Sequence, residues 1–240
     1  MRQIEDLRLR DKLTAYLEQF VTEERKTRLL EVLANRTRHV TVVLEDLYQT
    51  QNISAVMRSC ECYGVQDAYI VENRNTFEIH KDISMGADKW LTLHHYPHAR
   101  HNMRQCIDDL HAQGYYVVAT LPDEKRTTIN DLPLDRKTAF LFGTELTGLS
   151  DEAVQGADCA ALIPMYGFTE SFNISNSAAI ILSHFTERLR HSDIDWRLSQ
   201  EERDALYFEW LQKSLRDPDG MIAHFMKSET GCQATQSSNY

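Results

Sequence analysis

The stretch VTVVLEDLYQTQNISAVMRSCECYG, Val40–Gly64, decides the fold. Val40–Leu44 is a β-branched, apolar run, the composition of a strand buried on both faces. Ile53–Tyr63 follows as a helix, with Ile53, Val56 and Met57 available to pack inward and Gly64 as its stop. The same alternation continues downstream. Ala68–Val71, Trp90–His94, Tyr115–Thr120, Thr138–Phe142 and Cys159–Ile163 read as strands. Between and after them, Ala99–Gln113 reads as a helix ended by Gly114, Ser150–Val154 as the start of a short helix capped by Ser150 or Asp151, and Asn176–Arg190 as a long helix. Asn73–Lys89 is polar and poorly periodic, so it is expected to be a long loop with one short helical turn. Strands alternating with helices predict an α/β fold, a mostly parallel sheet with helices on both faces.

Outside this block the chain reads as helical. Leu7, Leu9, Leu13, Leu17 and Phe20 recur at helical spacing, as do Leu29, Leu30 and Leu33. Leu198–Leu215 is an amphipathic helix whose Phe208 and Trp210 are expected to pack rather than to stack on nucleic acid. The polar tail Thr230–Tyr240 is expected to lack structure. Three parts result: an N-terminal helical extension over residues 1–39, an α/β domain over 40–190, and a C-terminal helical extension and tail over 191–240.

Composition narrows the class. The chain has 240 residues, 42% of them hydrophobic, which suits one globular domain with extensions. No apolar run reaches the ~18 residues of a membrane span, and the charged start from Arg2 does not resemble a signal peptide. The five cysteines, Cys60, Cys62, Cys106, Cys159 and Cys232, have no paired spacing, which points to reduced thiols in a cytoplasm and to no metal. The net charge is −10, yet residues 1–40 carry nine Lys/Arg against seven Asp/Glu. That basic front holds Arg25, Lys26, Arg28, Arg36 and Arg38, which suits either a solvated helix face or phosphate contacts. There is no G-x-G-x-x-G after the first strand, no G-x-x-x-x-G-K-[ST] and no G-x-S-x-G, so a ligand must be held by other loops.

Three stretches at strand ends carry the chemistry. Asn52–Arg58 enters the helix after the first strand, with Asn52 placed to cap it or tie a loop. Phe142-Gly143-Thr144-Glu145-Leu146-Thr147-Gly148-Leu149 sets glycines around a carboxylate, which lets backbone approach a ligand closely. Ile163-Pro164-Met165-Tyr166-Gly167-Phe168-Thr169-Glu170-Ser171-Phe172-Asn173-Ile174-Ser175-Asn176-Ser177-Ala178 joins a strand to a helix start dense in hydroxyls and amides.

In order and spacing the three stretches resemble the SPOUT superfamily of RNA methyltransferases, in its SpoU/TrmH branch of ribose 2′-O-methylases. The likeness covers about residues 35–190, and the basic leading helices resemble the tRNA guanosine methylases of that branch. The resemblance implies a C-terminal deep trefoil knot, a homodimer and S-adenosyl-L-methionine as cofactor. It implies that Thr120, Gly143, Ile163, Met165 and Phe172 line the cofactor site, adenine meeting backbone groups and apolar side chains. It carries over Arg58, Asn52, Glu145, Ser171 and Asn173 as the catalytic set, and it makes structured RNA, above all tRNA at its D-loop guanosine, the substrate. A guanidinium stays protonated, so Arg58 suits a clamp on phosphate and forming alkoxide better than a base. Asn52 would then hold Arg58 or the ribose, and Glu145 would pair with Arg58 or fix its loop. Methylation of rRNA or of another tRNA position, an RNA-binding protein without catalysis, and a small-molecule α/β enzyme stay open on the residues alone.

Overall fold

The computed structural model describes residues 4, 6–76, 81–122 and 127–236. The chain divides into two units, Arg36–Arg197 and a second one in which Met1–Asn35 joins Leu198–Tyr240. The two ends, distinct extensions in the sequence, thus form one helical unit.

In the larger unit the first strand, β1 (Val40–Glu45), leads into α3 (Thr50–Cys62), two helices, α1 (Leu7–Glu18) and α2 (Glu23–Leu33), having preceded it in the chain. The strands β2 (Asp67–Val71), β3 (Thr92–Tyr96), β4 (Tyr115–Thr120), β5 (Thr127–Thr128), β6 (Lys137–Phe142) and β7 (Cys159–Leu162) follow. They form one sheet in the order β3-β2-β1-β6-β4-β7-β5, with every pairing parallel. The chain runs outward from β1 to β3, crosses back to β4, and later inserts β6 between β1 and β4.

Alternation along the strands supplies both faces of the core. Val40, Val42, Leu44, Phe140 and Phe142 face α3 and the long helix α7 (Ile174–Arg190). Val43, Tyr69, Val117, Ala139 and Leu141 face α5 (Asn102–Ala112) and Ala153 of α6 (Asp151–Gly156). Two positions apart on α3, Cys60 is wholly buried and Cys62 is exposed, so they cannot share a ligand on one face. Burial pushes the Cys60 thiol up to about 12, and it packs as a small hydrophobe.

The predicted strands appear within two residues of their expected bounds. Trp90 falls instead in a 3-10 turn, Ala87–Trp90, and the strand begins at Thr92. The expected loop Asn73–Lys89 contains α4 (Lys81–Ser84), and its residues 77–80 lie outside the described residues. The two-residue β5 carries no periodicity and was legible in no pattern.

In the helical unit α8 (Gln200–Ser214) starts with a reciprocal cap, Ser199 accepting from the Glu202 amide and Glu202 from the Ser199 amide. Phe208 and Trp210 are buried, as expected of packing residues. Tyr207 donates to Glu18 at 2.8 Å, and Tyr16 lies 5.0 Å from Phe225 of α9 (Pro218–Gln236). That last helix corrects the structureless reading of Thr230–Tyr240 as far as Gln236, because adding residues to a formed helix costs little once its first turn exists. Residues 237–240 lie outside the described residues. Among the described residues no helix is long and apolar enough to cross a membrane.

Candidate active site

A cavity of about 410 Å³ opens at the carboxyl ends of β4, β6 and β7, within the size range of small-molecule sites. Thr120, Gly143, Ile163, Met165 and Phe172, all predicted from the sequence, line it together with Glu145, Ser171 and Asn173. Leu121, Pro122, Leu149, Ser177 and Ile181 line it too and were not predicted. Leu121 and Pro122 directly follow a predicted strand, so the strand-end rule reaches them. Ser177 and Ile181 lie inside a helix, where only its packing reveals the face.

The loop from β6 to α6 forms one wall. A Cβ on Gly143 would sit 2.2 Å from the backbone carbon of Gly148, so only glycine fits. Gly148 itself has φ of 69°. Thr144 and Gly148 exchange both backbone hydrogen bonds, at 3.1 and 3.0 Å, and the Thr147 amide donates to the Thr144 hydroxyl. At the loop's exit, Ser150 caps α6 by accepting from the Ala153 amide. Its own amide and hydroxyl donate to Glu45 at 2.8 and 2.5 Å. Glu45, which the sequence did not single out, is thereby a buried anchor between the tip of β1 and the cavity wall. Nothing local marks it, since its partner lies 105 residues away.

Burial raises the Glu45 pKa, opposed by the two Ser150 hydrogen bonds. Its folded pKa exceeds its unfolded one, so the folded chain keeps this proton to higher pH. The contribution to stability is greatest below the ordinary carboxylate range and declines as pH rises through the folded pKa. Glu45→Gln removes this decline. From about pH 4 to about pH 7 the urea midpoint of wild type should therefore fall relative to that of Glu45→Gln, and a difference flat with pH would contradict the assignment.

Three of the five predicted catalytic residues meet at the cavity's edge. Asn52, in the first turn of α3 and 6% exposed, donates to the Glu145 carboxylate and to Gln49. Its carbonyl oxygen accepts from the Asn173 amide at 3.1 Å. Asn173 in turn caps α7, accepting from the Ser175 amide at 2.9 Å and hydroxyl at 2.6 Å. Gln49, not Asn52, is the N-cap of α3, so Asn52 is the loop tie of the two roles expected. Ser171 lines the cavity. Arg58 is exposed, makes no side-chain hydrogen bond or ion pair among the described residues, and does not line the cavity. Six residues separate it from Asn52, about a third of a turn round the helix. Neither Asn52 nor Glu145 holds it; each binds the other instead. The Thr120 hydroxyl donates to the Leu141 carbonyl at 2.6 Å, fixing β4 to β6.

The predicted RNA-binding residues divide. Arg25 and Arg28 are exposed on α2, and Lys26 pairs with Glu23 at 2.6 Å. Arg36 corrects the expectation. It is 1% exposed, donates to the Val65 carbonyl and pairs with Glu61 at 3.1 Å, so it cannot reach a phosphate. Arg38 pairs with the buried Asp67 at 2.7 Å and is likewise committed within the domain. Hence Arg36→Ala should lower unfolding stability by about 2 kcal/mol or more, by stranding buried polar partners. Arg25→Ala and Arg28→Ala should change it by less than about 0.5 kcal/mol. Equal denaturation midpoints for all three would overturn the distinction.

An open parallel sheet with helices on both faces and a cavity at its carboxyl edge is the architecture of α/β proteins that hold ligands beside their strand ends. The chain belongs to the SpoU rRNA Methylase family, whose model matches residues 39–183. It is 39% identical over 84% of its length to the tRNA (guanosine(18)-2'-O)-methyltransferase of Borreliella burgdorferi, covering 90% of that protein. The Thermus thermophilus enzyme of the same name is 34% identical over 80% of this chain and 98% of its own. Among solved structures, the A. aeolicus TrmH/SpoU tRNA modifying enzyme superposes with a TM-score of 0.72 at 28% identity, over 81% of this chain and 98% of that one.

Proposed function

We propose that this chain transfers a methyl group from S-adenosyl-L-methionine to a ribose 2′-hydroxyl of tRNA, at the D-loop guanosine. The observation that carries the reading is the junction of Asn52, Glu145 and Asn173, which ties the three sequence stretches together at the mouth of one cavity. The names of the relatives support tRNA and guanosine as the target.

The cavity suits this cofactor. The backbone of Gly143 and Gly148 closes without side chains, while Ile163, Met165 and Phe172 offer apolar cover for a purine. When bound, the cofactor supplies an electrophilic methyl group. The chain's residues position the acceptor. Asn52 and Glu145 hold the loop beside the cavity mouth, and Ser171 and Asn173 place a hydroxyl and an amide there. The Arg58 guanidinium, without a side-chain partner among the described residues, is available to a phosphate and to the charge forming on the ribose oxygen. Arg25 and Arg28 on α2 contribute phosphate contacts.

A homodimer belongs to the same reading. Leu146, Tyr166 and Phe168 are 96%, 97% and 109% exposed, and a second copy is the cover proposed for them. The trefoil knot near the C-terminal end of the α/β unit and a cytoplasmic setting complete it. The test is incubation with labelled S-adenosyl-L-methionine and undermodified tRNA, followed by mapping of alkali-resistant linkages. Label at the D-loop guanosine supports the proposal. Label confined to rRNA fragments redirects it, and no transfer to either RNA overturns it.

A further inference from the structure

Two loops next to the site carry cations that make no side-chain hydrogen bond or ion pair among the described residues and do not line the cavity. Asp46, at the tip of β1 with φ of 53°, accepts the amides of Asn73, Arg74 and Asn75 on one carboxylate oxygen, at 3.1, 2.7 and 2.8 Å. The Asn75 side chain returns a hydrogen bond to the Asp46 carbonyl at 2.8 Å. The turn after β2 is therefore pinned in one conformation. A non-glycine residue at positive φ is strained, and such strain persists where surrounding bonds over-determine it. The loop after β3 is tied to the same turn. The buried Asn102 amide donates to the carbonyls of Glu72 and Pro97, at 2.6 and 3.2 Å, and the Glu72 amide donates to the Tyr96 carbonyl at 3.0 Å.

The two tied loops present Arg74 and Arg100. Both side chains are exposed, and neither makes a side-chain hydrogen bond or ion pair among the described residues. The nearby carboxylates are engaged, Asp46 by three amides and Glu72 by His95 at 3.4 Å. Because all pairings are parallel, β2 and β3 end on the same edge of the sheet as β6, which bears the cavity wall. At ~4.8 Å per strand, β2 and β3 lie about 10 and 14 Å across from β6. On a chain of net charge −10, two exposed guanidiniums without a side-chain partner among the described residues, on loops hydrogen-bonded to each other's strands, mark a place for an anion. Guanidinium forks match phosphate oxygens, and the substrate class is a polyanion.

We propose that Arg74 and Arg100 form a phosphate-binding corner that grips the tRNA backbone beside the methylated nucleotide. This rests on the reading of tRNA as substrate. It adds to Arg25 and Arg28 two cations in place of Arg36, which is buried in the domain. Asp46 and Asn102 are positioning residues for the corner.

The test measures binding of unmodified tRNA against salt concentration for wild type, R74A/R100A, R74K/R100K and, as a control, R104A, whose guanidinium is already paired with Asp108. The double alanine variant should bind about tenfold more weakly near physiological salt, with a log K against log salt slope shallower by about 1.4–1.8, the release expected for two phosphates. The lysine variant should keep most of the slope, and R104A all of it. S-adenosyl-L-methionine binding, thermal midpoint and kcat at saturating tRNA should stay within about twofold or a few degrees of wild type. A slope unchanged in R74A/R100A, an equal loss in R104A, or no tRNA binding by wild type overturns the corner. Binding needs no turnover. A wild type that binds tRNA with these slopes but transfers no methyl group defeats the catalytic reading and leaves the corner standing; an R74A/R100A protein with wild-type kcat/KM for tRNA at subsaturating tRNA defeats the corner alone.

Discussion

Arg58→Ala is expected to lower methyl transfer by about 10²–10³-fold while leaving the dissociation constant of S-adenosyl-L-methionine within about twofold, because in the proposed function the guanidinium acts where charge develops, and it lies off the cavity lining. The geometry separates the two effects. Arg58 is exposed and off the cavity lining, so its removal disturbs neither the pocket wall nor the core. A guanidinium that stabilises a forming alkoxide also predicts a partial return of activity with lysine, which keeps the charge and loses the fork. Single-turnover rates and calorimetric binding distinguish the outcomes. Near-normal turnover of the alanine variant would remove Arg58 from the catalytic set. A matching loss of cofactor affinity would make it a binding residue instead.

Gly143→Ala should produce the opposite pattern, a loss of cofactor binding by more than about tenfold with a stability cost of about 1–3 kcal/mol. The added methyl would meet the Gly148 carbon and oxygen at 2.2 and 2.3 Å and the Leu149 nitrogen at 2.3 Å. All three are backbone atoms, so no side-chain rotation relieves the clash. The Thr144–Gly148 hydrogen-bond pair has to open, and the wall carrying Glu145 moves with it. Titration with S-adenosyl-L-methionine beside a thermal melt measures both effects. Wild-type affinity in a folded Gly143→Ala protein would show that the loop is not the cofactor wall.

These two residues also mark how far the sequence could be read. Gly143 was legible because a glycine beside a carboxylate at a strand end has a local conformational meaning. Four of the five residues expected around the cofactor, Thr120, Gly143, Ile163 and Met165, lie at or within three residues of a strand's carboxyl end, and Phe172 precedes the cap of α7; all five share one cavity. Arg58 was legible as a residue type at a spacing, but its partner was not. Spacing along a helix cannot say that Asn52 turns to Glu145 and Asn173, which lie 93 and 121 residues away. Arg36 was misread for a related reason. Charge counting treats every cation near the N-terminus as solvated, whereas Arg36 is buried against Val65 and Glu61, and the half-buried Arg38 pairs with Asp67.

By itself, then, the sequence determined the alternation of strands and helices, the strand ends on which the site is built, and the glycines that let backbone close around a ligand. These follow from periodicity and backbone sterics, which act over a few residues. The tertiary structure alone decided the strand order and the joining of both chain ends in one helical unit. It also decided the burial of Glu45 under Ser150, the pairing of Arg36 with Glu61 and of Arg38 with Asp67, and the exposure of Arg74 and Arg100, which have no side-chain partner among the described residues. Each of these depends on which distant groups satisfy a charge or a hydrogen bond once water is excluded, a choice made between residues that packing brings together from far along the chain.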